Sequence, residues 1–78
     1  MKEVLLPELG EGISKACVTC WLFEVGQELK EGEDLVELTT DKATFNLPSP
    51  CSGILRDRLV NEGDNVNVGE VLAIIEEK

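Results

Sequence analysis

The chain contains one pattern twice. Residues 16 to 40 read ACVTCWLFEVGQELKEGEDLVELTT, and residues 53 to 77 read GILRDRLVNEGDNVNVGEVLAIIEE. At an offset of 37, Gly26 falls on Gly63, Leu29 on Val66, Gly32-Glu33 on Gly69-Glu70, Leu35 on Leu72 and Leu38 on Ile75. Further upstream, Leu6-Pro7 matches Leu47-Pro48 at an offset of 41. The four-residue difference lies between these matches, in Glu8 to Lys15 of the first half against Ser49 to Ser52 of the second.

Each half reads as a short strand ending in Pro, a loop, a longer strand, a Gly turn, a very short strand, a second Gly turn and a final strand. This predicts strands over 2–6, 16–23, 27–29, 35–40, 43–47, 53–60, 65–67 and 71–77. No useful window keeps a 3.6-residue apolar period without Gly or Pro, so helices are not expected. Regularly spaced short strands indicate an all-β sandwich or barrel, and two similar halves can pool apolar faces about a pseudo-two-fold axis. Val36, Leu38, Ala73 and Ile75 are expected to point inward, with Val18, Leu22, Leu29, Leu59 and Val66 as further core. Glu33, Asp34, Glu70, Glu76 and Glu77 are expected to face solvent. Gly26, Gly32, Gly63 and Gly69 suit turns with positive φ, since no phosphate-binding pattern surrounds them.

Seventy-eight residues make one small domain, 1–78. A net charge of -9 argues against a nucleic-acid partner. No apolar run is long enough for a membrane span, and no membrane partner is expected. MKEVLLPELG has no signal-peptide centre. The chain has no His, which removes the commonest general base and metal ligand. Cys17 and Cys20 have CxxC spacing, but ACVTCWLF reads as a strand, on which positions i and i+3 face opposite ways. Their thiols are expected to diverge, and with Cys51 they cannot fill a four-ligand zinc site. Three unpaired thiols fit a reducing compartment.

The repeat places Asp41 and Lys42 alone between the fourth and fifth expected strands. A two-residue connection makes a tight hairpin, whose tip projects away from the core. Lys42 is therefore expected at the surface on a stiff arm, in the middle of the chain. This position suits a lysine that another enzyme modifies, because its ε-amine is accessible and its surroundings are recognisable by shape.

With LPELGEGI (6 to 13), GEDLVELTTDKATFNLPSPCSG (32 to 53) and GDNVNVGEVLAII (63 to 75), the chain resembles the lipoyl domain of the acyltransferase components of 2-oxo acid dehydrogenase complexes. The strongest element is Asp41-Lys42-Ala43 followed by Pro48-Ser49-Pro50 and Ser52-Gly53. The resemblance implies a flattened β-barrel of two four-stranded antiparallel sheets with two-fold quasi-symmetry. It implies lipoic acid amide-linked to Lys42 as a swinging arm, with Asp41 and Ala43 presenting the lysine. The implied partners are a thiamine-diphosphate 2-oxo acid decarboxylase, an acyltransferase catalytic domain, dihydrolipoamide dehydrogenase and a lipoate-attaching enzyme. The domain itself would be a carrier and not an enzyme. In the family, the loop between the first two strands lies near the lysine hairpin and aids recognition by the decarboxylase. Here that loop is Glu8, Leu9, Gly10, Glu11, Gly12, Ile13, Ser14 and Lys15.

LPELGEGI leans towards the pyruvate or branched-chain type of complex. Cys51 replaces an apolar family residue and is expected to pack beneath the hairpin. The resemblance implies a bacterial cytoplasmic or mitochondrial matrix location, and an N-terminal piece of a longer protein. Two carriers compete with this reading. Biotin carriers typically flank their lysine with Met, and the glycine-cleavage carrier is longer with different flanks. An unmodified packing or binding module of the same fold is the third alternative, against which the intact lysine motif argues.

Overall fold

Alternation of apolar and polar residues dominates the chain, and the computed structural model, which describes residues 1–77, is built from eight strands. They are β1 (Lys2–Leu5), β2 (Lys15–Trp21), β3 (Glu28–Leu29), β4 (Asp34–Thr39), β5 (Thr44–Pro48), β6 (Gly53–Arg58), β7 (Asn65–Asn67) and β8 (Val71–Glu77). Each expected strand is present, with ends displaced by two residues at most. Two four-stranded sheets form, in the orders β1-β8-β6-β3 and β5-β4-β2-β7, with every pairing antiparallel. Each sheet takes two strands from each half of the repeat. Neither half could close a sheet alone, because the β1–β8, β3–β6, β2–β7 and β4–β5 pairings all join one half to the other.

The inner faces of the sheets meet in one apolar core. Val18, Leu29, Val36, Leu38, Val66, Ala73 and Ile75 are buried there as expected, joined by Leu6, Leu35, Leu55 and Leu72. Leu22 and Leu59 are not in it: they are 45% and 48% exposed. The cause is a pair of β-bulges. In β2 the register against β4 shifts between Val18 and Cys20, and in β6 the register against β8 shifts between Leu55 and Asp57. One extra residue reverses which side chains face inward beyond it. Trp21 and Phe23 pack on the core instead of Leu22, and Val60 is buried instead of Leu59. The same bulge corrects the expectation for the CxxC pair. Cys17 stands opposite Thr39 and Cys20 opposite Glu37, so both half-buried thiols lie on the outer face instead of on opposite ones.

Four turns repeat a single device. Glu24–Gln27, Lys30–Glu33, Asn61–Asp64 and Asn67–Glu70 each have Gly third and an oxygen-bearing side chain fourth. In each, the fourth residue's N–H donates to the first residue's carbonyl at 2.9 to 3.0 Å. The first residue's N–H donates back to the fourth side chain: Glu24 to Gln27 Oε1, Lys30 to Glu33 Oε1, Asn61 to Asp64 Oδ2, Asn67 to Glu70 Oε1. The third residue of each has φ between 89° and 97°, the left-handed region that glycine enters without strain.

The structure revises the alignment of the upstream segments. Lys2 pairs with Ile75 as Phe45 pairs with Leu38, and Val4 faces Ala73 as Leu47 faces Val36. Leu6 exchanges backbone bonds with Gly69 and Glu70, and Ser49 does so with Gly32 and Glu33. The equivalence is therefore Leu6 with Ser49, an offset of 43 instead of 41. Inward orientation, and not the Leu-Pro identity, sets the match. The first loop's surplus becomes six residues instead of four. Cys51 is also displaced from its expected place. Its ionic neighbours are Glu77, Lys2, Glu31 and the chain's amino group, at the Pro48 end of β5, whereas the Lys42 hairpin adjoins Thr44. Burial, reinforced by Glu77 and Glu31 and opposed by Lys2 and the amino group, pushes the Cys51 thiol's pKa up. Burial, then Glu37 and Glu62, raise that of Cys20.

Candidate functional site

β4 and β5 are paired from Thr39↔Thr44 downward, and the hairpin above that pair is Thr40, Asp41, Lys42 and Ala43. The inner faces of the two strands are anchored by Val36, Leu38 and Leu47 in the core. On the outer face, the Thr39 hydroxyl is hydrogen-bonded to those of Thr19 on β2 and Thr44 on β5, which fastens the root of the hairpin across three strands. Above the root, Thr40 N–H donates to the Ala43 carbonyl at 2.8 Å. Lys42 is exposed, as expected from the sequence, and so are Asp41 and Ala43, the latter lying in the hairpin and not in the fifth strand where the sequence reading places it. Among the described residues Lys42 makes no ion pair. Its side chain is therefore accessible on a fixed support.

The first loop approaches this tip with only part of its length. Gly12, Ile13, Ser14 and Lys15 form one wall of a shallow cleft of about 300 Å³, and Thr39, Thr40, Asp41 and Lys42 form the other. The Val68 N–H donates to the Ser14 carbonyl at 2.9 Å, holding this half of the loop against the β7 end. Glu8, Gly10 and Glu11 instead line a neighbouring depression with Val68, and Leu9 packs on the core. Of the eight loop residues singled out from the sequence, the last four share the lysine's cleft. The floor adds Ala16, Cys17 and Asn65, which were not singled out. Cys17 and Asn65 are opposed across β2 and β7, a pairing between distant segments that no local pattern announces.

Of the two exposed lysines in this cleft, Lys15 and Lys42, Lys42 stands at the hairpin tip and offers its primary amine for acylation, with a short wall of loop beside it that another protein could read. Among the described residues, no group of His, Cys, Asp or Glu side chains is arranged to hold a metal ion.

A profile of the family described as "Biotin-requiring enzyme", the biotin and lipoyl attachment domains, matches residues 2–75. The chain belongs to this biotinyl/lipoyl attachment family. Within the family its likeness is to lipoyl domains. The solution structure of the lipoyl domain of the 2-oxoglutarate dehydrogenase complex from Azotobacter vinelandii superimposes with a TM-score of 0.79 at 28% identity, covering 99% of this chain and 98% of that one. The dihydrolipoyllysine-residue succinyltransferase component of the 2-oxoglutarate dehydrogenase complex of Staphylococcus saprophyticus is 43% identical over 77 residues, 99% of this chain and 18% of the relative. The acetyltransferase component of the pyruvate dehydrogenase complex of Corynebacterium glutamicum is 42% identical over 73 residues, 94% of this chain and 11% of the relative. The chain thus spans less than a fifth of the length of these curated relatives. Urea carboxylase from Kluyveromyces lactis shares the fold alone, at 21% identity and a TM-score of 0.70. The attachment-domain resemblance expected from Asp41-Lys42-Ala43 and its flanks is confirmed, as are the two four-stranded sheets.

Proposed function

We propose that the domain is a lipoyl carrier in which lipoic acid is joined to the Nζ of Lys42 as an amide. The observation that carries this reading is the exposed Lys42 between Asp41 and Ala43, at the tip of a hairpin whose root is fixed on the core. Amide formation removes the lysine's charge and leaves a long arm whose dithiolane supplies the acyl-carrying and electron-carrying chemistry. The protein's own part is display. β4 and β5 hold the tip away from the core, and Gly12 to Lys15 stand beside it as a surface for a partner to read.

The proposed partners are a thiamine-diphosphate 2-oxo acid decarboxylase, an acyltransferase catalytic domain, dihydrolipoamide dehydrogenase and the enzyme that attaches lipoate. Relatives of the succinyltransferase and acetyltransferase kinds stand at similar identity. We therefore propose a 2-oxo acid dehydrogenase complex as the setting, with the pyruvate type as one candidate. A reducing compartment, the bacterial cytoplasm or the mitochondrial matrix, suits the three unpaired thiols.

Intact mass after co-expression with a lipoate ligase tests the proposal. One lipoyl adduct on the wild-type chain, absent from Lys42→Ala, is expected. A biotin adduct in cells that also hold a biotin ligase would make the domain a biotin carrier. An unmodified mass in both chains would favour a module used only for packing.

A further inference from the structure

The lysine hairpin is wider than the two-residue connection expected from the sequence: β4 and β5 leave Thr40, Asp41, Lys42 and Ala43 between them. A hairpin closed by two residues normally uses a turn with positive φ at one or both of them, filled by Gly, Asn or Asp. Lysine is poorly suited to that region, where its Cβ crowds the backbone. Among the described residues only glycines have positive φ, so Asp41 and Lys42 close the hairpin without entering it. In the usual narrow turn, the Ala43 N–H would donate to the Thr40 carbonyl. Here it donates to the Thr40 hydroxyl, at 3.2 Å. The Lys42 N–H donates to the same oxygen at 3.3 Å, and the hydroxyl donates to the Ala43 carbonyl at 3.1 Å. One donor and two acceptor sites are all that a hydroxyl has, and all three are engaged within the turn.

We infer that Thr40 is a positioning residue for modification of Lys42. Its hydroxyl replaces a backbone acceptor, widens the turn and lets a lysine stand at the tip with ordinary backbone angles. Thr39 and Thr44 fasten the root of the hairpin; Thr40 sets the direction in which the next side chain but one leaves it. Without the hydroxyl the tip samples several turns, of which only a fraction presents the amine correctly. An attaching enzyme then meets a lower concentration of competent substrate, so its KM rises while kcat is kept. This role rests on the reading of Lys42 as the attachment residue.

The test compares wild type, Thr40→Val and Thr40→Ser in lipoate attachment by a purified lipoate ligase, alongside thermal unfolding of each chain. Valine keeps the shape and removes the hydroxyl. An increase in KM of about tenfold is expected for Thr40→Val, with Thr40→Ser close to wild type. A wild-type KM for Thr40→Val, or a Thr40→Ser chain as impaired as Thr40→Val, overturns the role of the hydroxyl and leaves Lys42 as the attachment site. A wild-type chain that takes no lipoate overturns the reading of Lys42, and the positioning role with it. Amide exchange in the wild-type chain gives a second measurement that needs no variant. Lys42 and Ala43 should exchange more slowly than Asp41, whose N–H has no partner among the described residues. Equal rates would overturn the role of the hydroxyl.

Discussion

The amide of Gly26 donates to the carbonyl of Leu55 at 2.7 Å, and the amide of Leu55 donates back to the carbonyl of Gln27 at 3.0 Å. The other half repeats the exchange, with Gly63 donating to Val18 at 2.7 Å and Val18 to Asp64 at 2.8 Å. Each half thus grips the other just before its bulge. The interlock predicts that peptides 1–40 and 43–77 are each unstructured alone, and that the whole chain unfolds in one transition. Circular dichroism of the two peptides and coincident denaturation curves from different probes check this. A folded half would contradict it.

The four glycine turns differ in the residue that accepts the returning bond: Gln27, Glu33, Asp64 and Glu70. The presence of Gln27 among them indicates that an oxygen acceptor is required and a charge is not. Asp64→Ala should cost about 1 kcal/mol, and Asp64→Asn a smaller part of it, in urea denaturation. Equal losses for the two variants would mean that charge carries the effect.

Gly53 has no room for a side chain. A Cβ there would overlap the backbone carbonyl oxygen of Glu76 on the neighbouring strand. Gly53→Ala must push β6 away from β8 near its Glu77 pairing, at a cost of about 2–3 kcal/mol. Denaturation midpoints should show this loss. Gly12→Ala is the useful contrast: open space surrounds that position, and any cost there comes from its φ of 80°.

Arg56 and Glu76 form an exposed pair between β6 and β8, with Nε to Oε1 at 2.7 Å. The hydrogen bond from Arg56, and then its charge, hold the Glu76 carboxyl below its ordinary pKa. A folded-state pKa lowered in this way contributes stability above the ordinary glutamate range. That contribution is lost as pH falls through the lowered value. Side-chain carboxyl NMR titration should place Glu76 below the ordinary glutamate range, and Arg56→Gln should return it to that range. Because both groups are exposed, the overall stability of Arg56→Gln at neutral pH should change little.

Much of this architecture could be read from the sequence because glycine spacing and apolar alternation are local signals. Gly26 with Gly63 and Gly32 with Gly69 mark the turns, and the gap between the fourth and fifth expected strands places Lys42, although that gap is four residues wide in the structure and not two. The bulges could not be read, since Thr19 and Arg56 carry no mark of being additional in their strands. Parity was therefore carried past them unchanged, which put Leu22 and Leu59 inside and turned Cys17 from Cys20. The upstream offset went astray for a related reason: Leu6-Pro7 and Leu47-Pro48 look alike, but orientation towards the core pairs Leu6 with Ser49. At the tip, sequence spacing gave the lysine its place and was silent about the Thr40 hydroxyl, whose part depends on backbone angles.

The equivalence of Ile75–Lys2 with Leu38–Phe45 makes the molecule a ring with one link left out. At one pole Asp41 and Lys42 close the circuit between β4 and β5; at the opposite pole the matching junction between β8 and β1 stays open. A tether fastened to β8 would leave from that open pole, with the length of the barrel between its anchorage and the amine.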